Sequence, residues 1–189
     1  MKNKILKKNC LLICFSNEKI GSGHLFRSQI LASSLKKKDW NIFLFGPCHN
    51  QKNNIKKNIF KKIFLTNFKE NIKIPKTFEK KIYNLISKLQ IDFVIIDSYL
   101  IGNNVQKKIK NKLILKITNQ NNNHNFCDFI LDYSFKNIIK KKTNYLLGPK
   151  YSLINSKINK NITKNKKILI TFVGSNLINQ LSKIINIIK

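Results

Sequence analysis

The chain has 189 residues and a formal net charge of +29, from 37 basic side chains against 8 acidic ones. That length buries one full core and leaves room to begin another. The lysines run from Lys2 to Lys189 without a dominant block and travel with abundant Asn and Ile, which reads as AT-rich codon usage; no specific nucleic-acid partner is expected.

The four cysteines (Cys10, Cys14, Cys48, Cys127) and three histidines (His24, His49, His124) form no CxxC and no HxxxH pattern. No metal, redox pair or cofactor is therefore expected, and the cysteines read as reduced core thiols. Residues 1–15 imitate a basic leader followed by an apolar run, but the run is short, no small-residue cleavage site follows, and Ile13 is too large for a lipobox at Cys14. No stretch approaches a membrane span, so the expected location is cytoplasmic, with no membrane partner.

In chain order, the apolar run 11–15 ending in Ser16-Asn17-Glu18-Lys19 predicts a first buried parallel strand feeding a loop. Residues 24–37 place Leu25, Phe26, Ile30, Leu31 and Leu35 at helical spacing and finish in lysines, which suit a helix C-terminus. A second strand is expected over 40–45, stopped by Gly46-Pro47, and a weaker third over 63–66. The Asn- and Lys-rich stretch 50–62 between them reads as either a helix or a loop. Helical spacing returns over 78–89, and 92–96 is a buried strand delivering Asp97-Ser98-Tyr99. A helix over 105–109 and strands over 113–117, 129–131 and 145–147 complete the pattern, the last closed by Gly148-Pro149.

This alternation implies an α/β protein with a Rossmann-like parallel sheet and helices on both faces. Ligands in such sheets lie outside the carboxyl ends of the strands, at a topological switch point. The expected division is an N-terminal Rossmann-like domain over 1–154, a polar linker over 155–166, and the first strand and helix of a second domain over 167–189.

The chemistry-bearing residues follow the strand ends. Gly21 and Gly23 permit a tight turn, and a helix starting near His24 aims its first N–H groups at an anion. His24 is a candidate general base or a helix-capping histidine. Arg27 is a candidate ligand contact and the sole arginine of the chain. Asp97 is either part of the same rim or a cap for the next turn. His49 and His124 read as loop residues, and Gly174-Ser175 has the form of a diphosphate-binding turn.

Taken together and in order, Ile20-Gly-Ser-Gly-His-Leu-Phe-Arg27, Asp92-Phe-Val-Ile-Ile-Asp-Ser-Tyr99, Cys127-Asp-Phe-Ile-Leu-Asp132, Tyr145-Leu-Leu-Gly-Pro-Lys-Tyr-Ser-Leu153 and Ile168-Leu-Ile-Thr-Phe-Val-Gly-Ser175 resemble the UDP-2,4-diacetamido-2,4,6-trideoxy-β-L-altropyranose hydrolases of pseudaminic acid biosynthesis. The resemblance implies the N-terminal half of a glycosyltransferase-B-like fold and an inverting, metal-independent hydrolysis that releases UDP from a UDP-sugar. It implies that His24 activates the attacking water, that Tyr99 holds the sugar, and that Gly21, Gly23, Arg27, Gly174 and Ser175 belong to the substrate site. It also implies that the 1–154 domain is catalytic, that 167–189 open a truncated nucleotide-binding domain, and that a separately encoded partner would have to supply the missing C-terminal half. A related sugar transferase and a non-catalytic binding remnant are the alternatives.

The chain departs from the family in several places. Cys14-Phe15-Ser16 stands where an Arg-x-Asp pattern is usual, Ser98 where a histidine is common, Thr118-Asn119 where paired aspartates occur, and Phe172-Val-Gly-Ser-Asn176 in place of a Phe-Gly-Gly-Ser-Asp turn.

Overall fold

The computed structural model describes residues 7–68, 74–118, 126–133 and 144–154. Seven parallel strands form one sheet: β1 (Asn9–Cys14), β2 (Asn41–Cys48), β3 (Lys62–Thr66), β4 (Phe93–Asp97), β5 (Leu113–Ile117), β6 (Phe129–Asp132) and β7 (Asn144–Leu147). Their spatial order is β3-β2-β1-β4-β5-β6-β7, each pair parallel. The three helices among the described residues are α1 (Gly23–Lys36), α2 (Lys76–Lys88) and α3 (Asn103–Lys108). This is the Rossmann-like α/β architecture that the alternation of elements predicts.

The order reverses beside β1, because the chain steps from β1 outward to β2 and β3, then crosses back to β4 on the other side of β1. Right-handed crossovers in opposite directions put their helices on opposite faces of the sheet. The core divides accordingly. Leu11, Ile13, Val94, Ile96 and Ile114 pack in one layer with Ile82 of α2 and Val105 of α3. Cys10, Leu12, Ile95, Leu115 and Ile117 pack in the other with Leu25 and Ala32 of α1. Side chains alternate between faces along each strand, so a residue's parity decides which helix it meets.

Two local expectations change and one open reading is settled. The second strand does not stop at Gly46-Pro47 but runs through it to Cys48, with a register shift against β3 between Phe45 and Cys48. Gly46 makes this possible: its φ is +120°, and a Cβ there would lie 2.6 Å from the carbonyl oxygen of Cys14. The stretch 50–62 contains two short 3₁₀ turns, His49–Asn54 and Lys57–Ile59, pinned by burial of Ile55, Ile59 and Phe60. The buried face of α1 is Leu25, Ser28, Gln29 and Ala32, while Phe26 is 51% exposed. Gln29 is drawn inward because its amide bonds the Asn54 carbonyl (3.1 Å) and the Lys56 N–H (2.6 Å), and Ser28 because it reaches Asp97.

The expected linker over 155–166 and the strand and helix over 167–189 lie outside the described residues, as do His124, Gly174 and Ser175. Among the described residues no helix is long and apolar enough to cross a membrane.

Candidate active site

Between the end of β1 and the start of α1 the backbone must turn back over the carboxyl edge of the sheet. Asn17 builds that turn. Its buried side-chain oxygen accepts from the N–H groups of Lys19 (2.9 Å) and Ile20 (2.8 Å), and its amide nitrogen donates to the Phe68 carbonyl (3.2 Å). Gly21 closes the turn at φ +81°, a left-handed conformation that favours glycine, with its N–H on the Asn17 carbonyl at 2.8 Å. Gly23 opens α1, and a Cβ placed on it would meet nothing within 4 Å. The Ser22 side chain makes no capping hydrogen bond, so it does not occupy the first-turn N–H groups at the positive end of the α1 dipole.

His24, Arg27 and Ser28 stand at i, i+3 and i+4 on α1 and therefore share one face. That face looks at Asp97, which pairs with Cys14 in the β1–β4 register and so lies one strand over from the loop. Asp97 is fully buried, and its parity turns it toward α1. Its Oδ1 is 2.7 Å from His24 Nδ1 and accepts a short bond from Arg27 Nη2; its Oδ2 accepts from Arg27 Nε (2.8 Å) and from Ser28 Oγ (2.9 Å). Arg27 Nη1 reaches on to the Tyr133 hydroxyl, after β6, at 2.6 Å.

This arrangement decides the histidine tautomer. His24 Nδ1 is also 2.8 Å from Arg27 Nη2, and one ring nitrogen cannot donate to the carboxylate and accept from the guanidinium at once. A bare Nδ1 lone pair at 2.7 Å from a carboxylate oxygen would be repelled, so Nδ1 carries the proton and donates it to Asp97. The Nε2 lone pair is then the basic site. A buried carboxylate that holds an imidazole in one tautomer is the orienting device of acid–base catalysis.

The charges support each other. Burial pushes the Asp97 carboxyl up, but the Arg27 and His24 hydrogen bonds and the Arg27 charge outweigh it, and the net shift is downward, keeping Asp97 ionised. Burial works against the Arg27 cation, and its bonds and charge pairing with Asp97 more than restore it. Tyr99, 40% exposed at the same rim, sets its ring edge-on to His24 with centroids 5.1 Å apart. Burial raises its hydroxyl pKa, and the Arg27 charge pulls it partly back.

Of the residues singled out in the sequence, the structure brings Gly21, Gly23, His24, Arg27, Asp97 and Tyr99 to one place, the switch point beside β1. Asp97 binds side chains of α1 instead of capping the turn that follows it. The Arg27 donors bond Asp97 and Tyr133, and the guanidinium also acts on the Tyr99 hydroxyl at the rim. His49 instead lines a separate cleft of about 400 Å³ with Asn17, Glu18 and Asn50. Ser28 and Tyr133 were not singled out; the i, i+3, i+4 spacing from His24 would have found Ser28, whereas nothing local marks Tyr133. Among the described residues no group of three or more His, Cys, Asp or Glu side chains is placed to hold a metal ion.

No protein-family model and no curated protein sequence matches the chain. Among solved structures it resembles the crystal structure of MurG from Acinetobacter baumannii, at 10% sequence identity and a TM-score of 0.46. The likeness covers 73% of this chain and 44% of that one, so the chain spans less than half the length of this structural neighbour.

Proposed function

We propose that the chain is the N-terminal half of a sugar-nucleotide hydrolase, in which His24 removes a proton from water attacking the anomeric carbon and UDP departs. The observation that carries this reading is the buried Asp97 carboxylate at 2.7 Å from His24 Nδ1, which leaves Nε2 as the base at the switch point of the sheet. Arg27 and Ser28 hold Asp97 in place, and Tyr99 offers an aromatic face for the sugar beside His24. The first turn of α1, uncapped by the Ser22 side chain, suits the negative charge that develops on a diphosphate leaving group. The resemblance supplies the substrate class, a UDP-linked 2,4-diacetamido-2,4,6-trideoxy sugar, and the second, nucleotide-binding half that would complete the cleft.

The test is UDP release from that sugar nucleotide in ¹⁸O-labelled water, with the chain alone and mixed with the C-terminal half of a pseudaminic-acid-type hydrolase. Hydrolysis at the anomeric carbon puts the label in the sugar; transfer to another acceptor leaves the sugar unlabelled at that position. His24→Ala should lower turnover by about 10²–10⁴-fold, the usual contribution of a positioned general base. Turnover that survives His24→Ala would remove His24 from the mechanism.

A further inference from the structure

Strand β5 reads Leu-Ile-Leu-Lys-Ile, and Lys116 is as buried as its apolar neighbours, at 3% exposure. An ammonium group withdrawn from water costs several kcal/mol unless its protons find acceptors, so its partners show what it is for. Lys116 Nζ donates to the backbone carbonyls of Ser98 (2.8 Å) and Ile101 (2.9 Å). Those two residues bracket Tyr99 and Leu100, on the segment that leads from β4 to α3. Lys116 shares the parity of Ile114, so it works from the α2/α3 face, opposite the face on which Asp97 meets α1.

The rest of the bracket is built to match. The Leu100 N–H donates to Ser98 Oγ (3.1 Å), and the Gln106 side-chain amide donates to the same Ile101 carbonyl (3.3 Å). Burial lowers the Lys116 pKa to about 8, with Cys127 and Asp97 opposing the shift, so the amine is still mostly protonated at neutral pH.

We infer that Lys116 is a positioning residue: from behind the sheet it clamps both ends of the 98–101 loop and thereby sets the Tyr99 ring against His24. The consequence for sugar binding rests on the function proposed above; the placement of the ring does not.

The experiment reads the ring directly. The chain has three histidines, so ¹H–¹³C spectra of histidine-labelled full-length protein separate His24 from His49 and His124. Tyr99→Leu defines the His24 ring signals without the neighbouring aromatic. In Lys116→Met, which keeps length and burial but has no donor, the His24 signals should move toward their Tyr99→Leu positions. The His49 signals and the circular dichroism should stay unchanged. Lys116→Leu, which also lacks a donor, gives the same reading if the methionine variant does not fold. His24 signals that superimpose on those of the unaltered chain in either folded variant would overturn the inference. Hydrolysis of the UDP-linked 2,4-diacetamido-2,4,6-trideoxy sugar by the unaltered chain mixed with the C-terminal half is scored separately; its failure would count against the sugar-nucleotide reading and not against the clamp.

Discussion

Replacing Asp97 by asparagine changes one buried oxygen to nitrogen and removes the charge that Arg27, His24 and Ser28 all face. The amide can accept at one atom only, and its NH₂ group meets donors where Asp97 met them with a lone pair. Removing one partner of a buried ion pair typically costs about 3–5 kcal/mol, because the other charge stays behind uncompensated. The Arg27 side chain is 15% exposed and keeps its bond to Tyr133, so the lower end, about 3 kcal/mol, applies. For a chain of this length that corresponds to a fall of roughly 6–12 °C in Tm.

The loss should depend on pH with a definite sign. The folded-state pKa of Asp97 is lowered, so its contribution is complete above the unfolded carboxylate value of about 4 and disappears as pH falls through the lower folded value. Urea unfolding followed by circular dichroism, near pH 7 and again below about pH 4, should show a wide gap between Asp97→Asn and the parent that narrows in acid. A gap under about 1 kcal/mol at neutral pH, the worth of an exposed pair, or a gap indifferent to pH, would refute the view that Asp97 is an ionised, buried hub.

Arg27→Lys should also destabilise, by about 1–3 kcal/mol in urea unfolding, since an ammonium cannot bond both Asp97 oxygens and Tyr133 through one planar fork; parent-like stability would contradict that geometry. Gly46→Ala should cost about 1–3 kcal/mol, read as a lower Tm, because the new Cβ is directed at the Cys14 carbonyl in a left-handed conformation. The four cysteines are buried, and burial pushes the thiols of Cys10, Cys14 and Cys127 up, the last to about 11. All four should resist a thiol reagent in the native chain and react together in urea; a thiol that reacts rapidly without denaturant would show that the described packing opens.

The strands were legible because each is a short apolar run closed by polar or turn residues, a pattern that burial between two helical layers imposes directly. Gly46-Pro47 misled because a turn signal and a bulge share the same residues; only the approach of the Cys14 carbonyl distinguishes them. The α1 face was misjudged for a related reason. Periodicity counts apolar residues, whereas Ser28 and Gln29 are held inside by hydrogen bonds to strand and loop partners far away in the sequence. His24, Arg27 and Tyr99 could be named because glycines and strand ends marked their surroundings. The central place of Asp97 could not be read from its own segment, since all four of these bonds come from α1, about seventy residues earlier in the chain. Lys116 was hidden by its abundance: one lysine among dozens carries no signal until burial singles it out.

Because consecutive side chains of a strand face opposite ways, the site depends on an odd–even count as well as on residue identity. Asp97 faces α1 only while Ile96 faces α2 and α3, and Lys116 faces α3 only while Leu115 and Ile117 face α1. Losing a single residue inside β4 would turn the carboxylate into the apolar layer and offer Arg27 the side chain of Ser98. Substitutions can therefore accumulate along these two strands as the composition drifts, but insertions and deletions cannot. Relatives of this chain, however divergent in sequence, should keep the spacing from the first residue of β4 to its aspartate unchanged.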